Sequence, residues 1–306
     1  MTRAMDSTSR PDTESKSERK EMAMSILACI DRSRYTTSIC DHAIRAARRL
    51  GTGVDLLHAI DWQPTTAMDI DRSGLMSIDM TETALQEFSE ANEARNREAH
   101  DQAQSLLDEA ATYVRAAGIE PVRERIVFGN VVDHLGDFDA ETDLIVVGKR
   151  GEREGHASNH LGSNLERIVR ATHHPVLIVP PEIRELTRFV VAFDASSSSM
   201  KALDMLTRQT LLLEAECRLL MVAADTQAHR AQLEDGARRL VEAGYRVESS
   251  LKDGNVENVI AETIEALDAQ LLVMGAYGHS RVREMVIGST TTALLCSAKV
   301  PVLVVR

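Results

Sequence analysis

The sequence predicts an α/β protein built as two tandem five-stranded parallel-sheet α/β sandwiches. Three observations carry that reading. Aliphatic residues dominate while aromatics make up only 3% of the chain, the composition of a sheet covered by helices. Short Val/Ile/Leu runs alternate with stretches of helical periodicity, the order of a parallel sheet with right-handed helical crossovers. The same order then occurs twice within 306 residues, which favours two domains over one.

The repeat is legible in the letters. The stretch LIVVGKRGEREGHASNHLGSNLERIVRATHHPVLIV (144–179) runs parallel to LLVMGAYGHSRVREMVIGSTTTALLCSAKVPVLVV (271–305). Upstream, FGNVVDHL answers DGNVENVI, LLHAID answers LLMVAA, and ILACIDRS answers VVAFDASS. Asp31 to Asp194 and His58 to Met221 are both offsets of 163, whereas Gly129 to Gly254 is 125 and Pro175 to Pro301 is 126. The first copy therefore carries 38 extra residues between its second and third strands, near 61–99. This insertion reads as a polar loop around Trp62 to Ser77 and a lengthened helix carrying Leu85, Phe88, Ala99, Leu106, Ala110 and Tyr113 at helical spacing.

Taken in order, residues 1–22 mix Ser, Thr, Lys, Arg, Asp and Glu without an apolar core and read as a disordered tail. The first domain spans 23–180 and the second 187–306, with PPEIREL (180–186) as linker. In the second copy the strands fall near 188–193, 217–223, 245–251, 270–275 and 300–305. Each copy closes on an apolar strand, and a bare apolar edge invites aggregation. Residues 175–179 and 300–305 are therefore expected side by side, in a pseudo-twofold pair that imitates a homodimer. Further pairing into a homodimer of tandem chains is expected to follow.

Charge and composition narrow the function. A formal charge of -12 repels polyphosphate, so nucleic acid is not an expected partner and any anion must be held locally. No apolar run approaches the roughly 18 to 20 residues that span a bilayer. Cys29, Cys40, Cys217 and Cys296 lie far apart without a CxxC pair and read as buried thiols of a reducing compartment. Together these point to a cytoplasmic protein of small ligands or protein partners.

The glycines supply the site. Gly275 and Gly278 follow the fourth strand of the second copy, where open parallel sheets hold ligands, and their missing Cβ atoms permit a tight turn and close approach. Gly288-Ser289 opens the last helix, whose unpaired N–H groups and positive dipole end attract phosphate. His279, Arg281 and Arg283 lie on the arch between them. GxxxxGK[ST] is absent, and GTGVDLL follows a helix and precedes a strand, the wrong context for a dinucleotide fingerprint.

The arrangement G-x2-G-x9-G-[ST] after a fourth strand, an Asp ending the first strand and a closing PVLVV resemble the universal stress protein family, in two tandem copies from residue 24 onward. The resemblance implies a Rossmann-like, adenine nucleotide alpha hydrolase-like fold and a stress-linked regulator that either binds ATP or lacks nucleotide. It assigns Asp194 to adenosine and Val222 and Met274 to the walls of the adenine slot. It assigns Gly275, Gly278, Gly288, Ser289 and Thr290 to ribose and phosphates. A carboxylate at a strand end beside an apolar slot makes independent sense, since it accepts hydrogen bonds from a ribose hydroxyl or an amine.

The first copy departs from this pattern. Gly148, Gly151, Gly162 and Ser163 are present, and Asp31, Ala59 and Val147 remain adenosine contacts of a second site. Its arch, EREGHASNHL, is ten residues long rather than nine, and puts Glu152 and Glu154 where phosphate charge would gather. Asymmetric occupancy favouring the second copy is the expectation.

Other motifs read blandly. His156 and His160 stand at i, i+4 without a third ligand, so no metal site is expected. SSSS (196–199) reads as an N-cap region, and His173-His174 as loop residues. The leading function is thus an ATP-binding, non-enzymatic regulator, with AMP or ADP as related ligands, Mg as a companion ion and a regulatory protein as partner. No catalytic residue is assigned. The alternatives are slow ATP hydrolysis or self-phosphorylation on Ser289 or a nearby Thr, with Ser280, Glu284 and Asp194 as candidate groups, and a nucleotide-free scaffold.

Overall fold

The computed structural model describes residues 24–60, 82–151, 163–209, 211–276 and 288–306. The N-terminal half contains strands β1 (Ser25–Cys29), β2 (Gly53–Ile60), β3 (Val122–Phe128), β4 (Thr142–Gly148) and β5 (Val176–Val179). The C-terminal half contains β6 (Arg188–Ala192), β7 (Glu216–Val222), β8 (Arg246–Lys252), β9 (Leu271–Gly275) and β10 (Val302–Val305). Helices α1 (Thr36–Leu50), α2 (Glu82–Ala116), α3 (Val131–His134) and α4 (Ser163–Ala171) accompany the first set. Helices α5 (Ser197–Arg208), α6 (Gln227–Glu242), α7 (Val256–Ala266) and α8 (Ser289–Ser297) accompany the second.

All ten strands join one sheet in the order β3-β2-β1-β4-β5-β10-β9-β6-β7-β8. Pairing is parallel within each half. It is antiparallel at the single seam, where Val176, Leu177 and Ile178 face Val304, Leu303 and Val302. The expected neighbours are therefore neighbours, and each apolar closing strand covers the other's edge. Strand alternation sends Ile26 and Ala28 to the core on one face and Leu27 to the core on the other. Both core layers run unbroken across the seam, with Leu177 and Leu303 in one and Ile178 and Val302 in the other.

Local chemistry sets the element ends. α1 stops at Gly51, whose φ of 68° is the left-handed conformation that ends a helix. Ser196 caps α5 by accepting from Ser199 N, as the SSSS stretch predicts. The FGN/DGN repeat has a structural cause. Gly129 and Gly254 take φ of 99° and 132°, and Asn130 and Asn255 then cap α3 and α7.

Two expectations need correction. The long helix is present, at 35 residues against 16 in its counterpart α6, but its buried stripe is Ala103, Leu107, Ala110, Ala111 and Val114. Tyr113 is 47% exposed and instead donates its hydroxyl to Asp41 at 2.6 Å. Ala110 is buried and Leu106 packs against the core as their spacing predicts, whereas at Tyr113 the core position passes to Val114, on a helix contacted by β2, β3 and α1. Cys40 and Cys217 are buried thiols, but Cys29 and Cys296 are half-buried. Among the described residues no helix is long and apolar enough to cross a membrane, and no three His, Cys, Asp or Glu side chains group as a metal site.

The halves also exchange charged contacts. Lys149 Nζ, just past β4, donates to Cys296 O at 2.6 Å and Ala298 O at 2.8 Å, the C-terminal carbonyls of α8. Arg306 Nη1, just past β10, donates to Arg170 O at the end of α4. Each half's last helix is gripped at its C-terminal end by a cation of the other half, which suits the negative end of the helix dipole.

Below the seam His42, only 6% exposed, donates Nδ1–H to Ser38 O at 2.8 Å beside Leu177, Leu271 and Leu303. Burial, which outweighs the Ser38 hydrogen bond, pushes its pKa down from 6.5 to about 4, with Arg45 adding to the effect and Asp41 opposing it. The unfolded chain therefore takes up a proton below pH 6.5 that the folded chain refuses until about 4. Stability held above pH 6.5 is expected to fall through that window, by no more than about 3 kcal/mol. Urea unfolding at several pH values checks this, and His42→Leu should flatten the slope.

Candidate functional site

Strand order reverses between β1 and β4 in the first half and between β6 and β9 in the second. Open α/β sheets hold ligands in the crevice beyond such reversals. Asp31 and Asp194 stand just beyond β1 and β6. Asp31 Oδ1 accepts from Ser33 N at 3.1 Å and Asp194 Oδ1 from Ser196 N at 3.0 Å, so one turn type aims both carboxylates. Next to Asp194, Ala195 sits at φ 58°, a left-handed strain of about 1 kcal/mol stored beside the candidate site.

The glycines divide by what they make room for. A Cβ on Gly275 would lie 2.3 Å from Ser198 Oγ and 2.7 Å from the Ser198 carbonyl carbon. One on Gly148 would lie 2.8 Å from Tyr35 Cβ. Their missing side chains accommodate the start of the helix that follows β6 or β1, a packing role that the expectation of ligand approach did not include. Gly151 is different, since its Cβ would stand 3.3 Å from Asp31 Oδ2. This contact brings the loop and the carboxylate together. Gly288 is different again: φ is −58°, and the nearest atom to an added Cβ is Thr291 Oγ1 at 3.6 Å. Among the described residues nothing demands a glycine there.

Gly288 caps α8 without a side-chain bond, followed by exposed Ser289, half-buried Thr290 and buried Thr291, whose Oγ1 donates to Ala276 O at 3.2 Å. This last bond fixes the helix start against the end of β9. The first turn of α8 has no acidic residue, whereas that of α4, beginning at Ser163, contains Glu166. Free N–H groups at such a start attract anions, and a carboxylate in the first turn competes for them.

In the N-terminal half a cavity of about 640 Å³ opens over the reversal. Asp31, Ala59, Val147, Gly148 and Gly151 line it, so the structure gathers these five candidate residues around one space. It includes Arg150, a charge that the sequence sets against Glu152 and Glu154, and adds His58, Asn130, Asn164 and Arg167, which the motif reading did not single out. His58 donates Nδ1–H to Ile30 O at 2.8 Å. Asn130 accepts from Val132 N at 2.9 Å and donates Nδ2–H to Asn164 Oδ1 at 2.8 Å. The signal for Asn130 was in the sequence, in the repeated Gly-Asn pair, whereas nothing local marks Arg167 on its helix.

In the C-terminal half Val222 is half-buried and Met274 only 5% exposed, both packed into the core layer. Met274 is thus largely a core side chain. Gly278, His279, Arg281 and Gly162 lie outside the described residues, as do Glu152, Glu154, Arg283, Ser280, Glu284 and the His156/His160 pair.

The sequence profile of the universal stress protein family matches residues 22–180 and again 185–306. The chain belongs to the universal stress protein family. It is similar to universal stress protein Slr1230 of Synechocystis sp., at 32% identity over 284 residues, 92% of this chain and 99% of that one. Universal stress protein Rv1996 of Mycobacterium tuberculosis is 26% identical over 259 residues, covering 72% and 80%. A solved universal stress protein from Archaeoglobus fulgidus shares the fold, with a TM-score of 0.66, 21% identity and coverage of 92% and 98%. The doubled family match accounts for the doubled motif, with one universal stress protein unit on each side of the seam.

Proposed function

We propose that this universal stress protein binds ATP, with ADP or AMP as related ligands and Mg as a companion ion, and acts as a non-enzymatic stress-response regulator whose partner contacts follow nucleotide occupancy. The observation that carries the reading is the convergence of a strand-end carboxylate, a glycine loop and an apolar wall at the strand-order reversal, where Asp31, Gly151, Ala59 and Val147 surround one cavity. Asp194, Gly275, Gly278, His279, Arg281, Gly288, Ser289 and Thr290, with Val222 and Met274, form the corresponding set of the second unit, taken as 187–306 against 23–180 for the first. A homodimer of tandem chains, a regulatory protein partner and a cytoplasmic setting complete the proposal.

Small molecules released by heat from purified protein, identified by mass spectrometry, test it. ATP, ADP or AMP at near-stoichiometric yield is the expected result, with affinity in the micromolar range. Turnover is expected to be slow or absent, because among the described residues no water-activating constellation accompanies the carboxylates. Several phosphates released per second would instead establish an ATPase. Clean protein that neither releases nor binds adenine nucleotide would leave the scaffold reading.

A further inference from the structure

The Gly148–Gly151 loop does more than border the first cavity. Lys149 contributes to the lining of that cavity, and its backbone N–H is held by Val179 O at 3.0 Å. Its side chain crosses the seam and ends on Cys296 O and Ala298 O, at 2.6 and 2.8 Å. Those carbonyls close α8, and the opposite end of the same nine-residue helix is Gly288-Ser289. One side chain therefore joins the loop of one candidate site to the far end of the helix that begins the other. Burial pulls the Lys149 pKa down from its ordinary value, as expected of an ammonium partly withdrawn from water. The counterpart of Lys149 is Ala276, fully buried and too short to reach across. The link thus runs from the N-terminal loop to the C-terminal helix.

We propose that Lys149 is a positioning residue through which the C-terminal half completes the N-terminal site and the N-terminal loop steadies the C-terminal cradle. The inference rests on the nucleotide-binding reading of the two sites. Without the Lys149 side chain the carbonyls of Cys296 and Ala298 lose a charge-assisted donor and the loop loses its tie to the other half, so both sites are loosened by one change.

The test is calorimetric titration of full-length wild type, Lys149→Met and Lys149→Arg with ATP and with AMP, well below each variant's melting temperature. Lys149→Met is expected to bind both nucleotides five- to tenfold more weakly, by the same factor. Lys149→Arg, long enough to reach the same carbonyls, should restore most of the loss. Hydrogen exchange should quicken in Lys149→Met at both 148–151 and 289–297. Unchanged affinity in Lys149→Met overturns the proposal. So does a loss confined to ATP, since that marks a direct charge contact with the outer phosphates. Wild-type protein that binds neither nucleotide removes the functional reading itself, and the inference with it.

Discussion

Gly275→Val is expected to destabilise the protein by about 4 kcal/mol or more and to leave much of it insoluble, whereas Gly288→Val should cost only about 1 kcal/mol. Both glycines belong to one motif, yet their surroundings are opposite. The first branch atom on Gly275 would meet Ser198 Oγ at 2.3 Å, the Ser198 carbonyl carbon at 2.7 Å and Ser199 N at 2.7 Å. Two of these are backbone atoms in the first turn of α5, capped by Ser196, so they cannot swing aside as a flexible side chain would. Relief requires moving α5 off the sheet, and with it the buried Ala202, Leu203 and Leu206. At Gly288, φ of −58° suits any residue and the nearest atom among the described residues is 3.6 Å away, leaving mainly the difference between glycine and an apolar residue at an N-cap. Denaturant unfolding of the two variants decides the matter. Equal losses would mean that the Ser198 contact is relieved at little cost.

This contrast also shows where the sequence was informative. The offset of 163 between Asp31 and Asp194 and the doubled PVL strands were enough to place two five-stranded units and to set β5 against β10. Pattern and repeat act at the scale of whole elements, and burial of an apolar strand edge is a requirement a sequence displays openly. What a glycine makes room for is not displayed. Gly148, Gly151, Gly275 and Gly288 look alike as letters, and only the packing of Tyr35, Asp31 and Ser198 against them separates the structural from the open. Tyr113 departs from the stripe on α2 for a similar reason. Along the chain Tyr113 and Val114 are both apolar enough for the core, and the three neighbouring elements chose Val114. Lys149 was read past because its partners lie 147 and 149 residues away, on another helix.

Nucleotide occupancy is expected to be asymmetric, with the C-terminal site the tighter. Both halves share a strand-end carboxylate, a glycine loop and a helix start, so the common features cannot rank them. The helix starts can, because the first turn of α8 offers Ser289, Thr290 and Thr292 with no acidic residue, while α4 carries Glu166. The arches point the same way in sequence, with Arg281 and Arg283 in the second against Glu152 and Glu154 in the first. Arg150 and Arg167 beside the first cavity offset part of that difference, and Lys149 is already spent on α8. Even solvent-screened charges of opposite sign change the binding of a triphosphate by about 1 to 2 kcal/mol, roughly tenfold or more in affinity. Gly288→Val, which fills the open space at the second helix start, should therefore lower ATP affinity at least about tenfold. Gly162→Val, at the corresponding position of the first motif, should leave the tight binding in place. Titration calorimetry of both variants reads the order directly. If Gly162→Val abolishes the tight binding and Gly288→Val spares it, the first cavity is the nucleotide site, and the hydroxyl-rich start of α8 serves the fold alone.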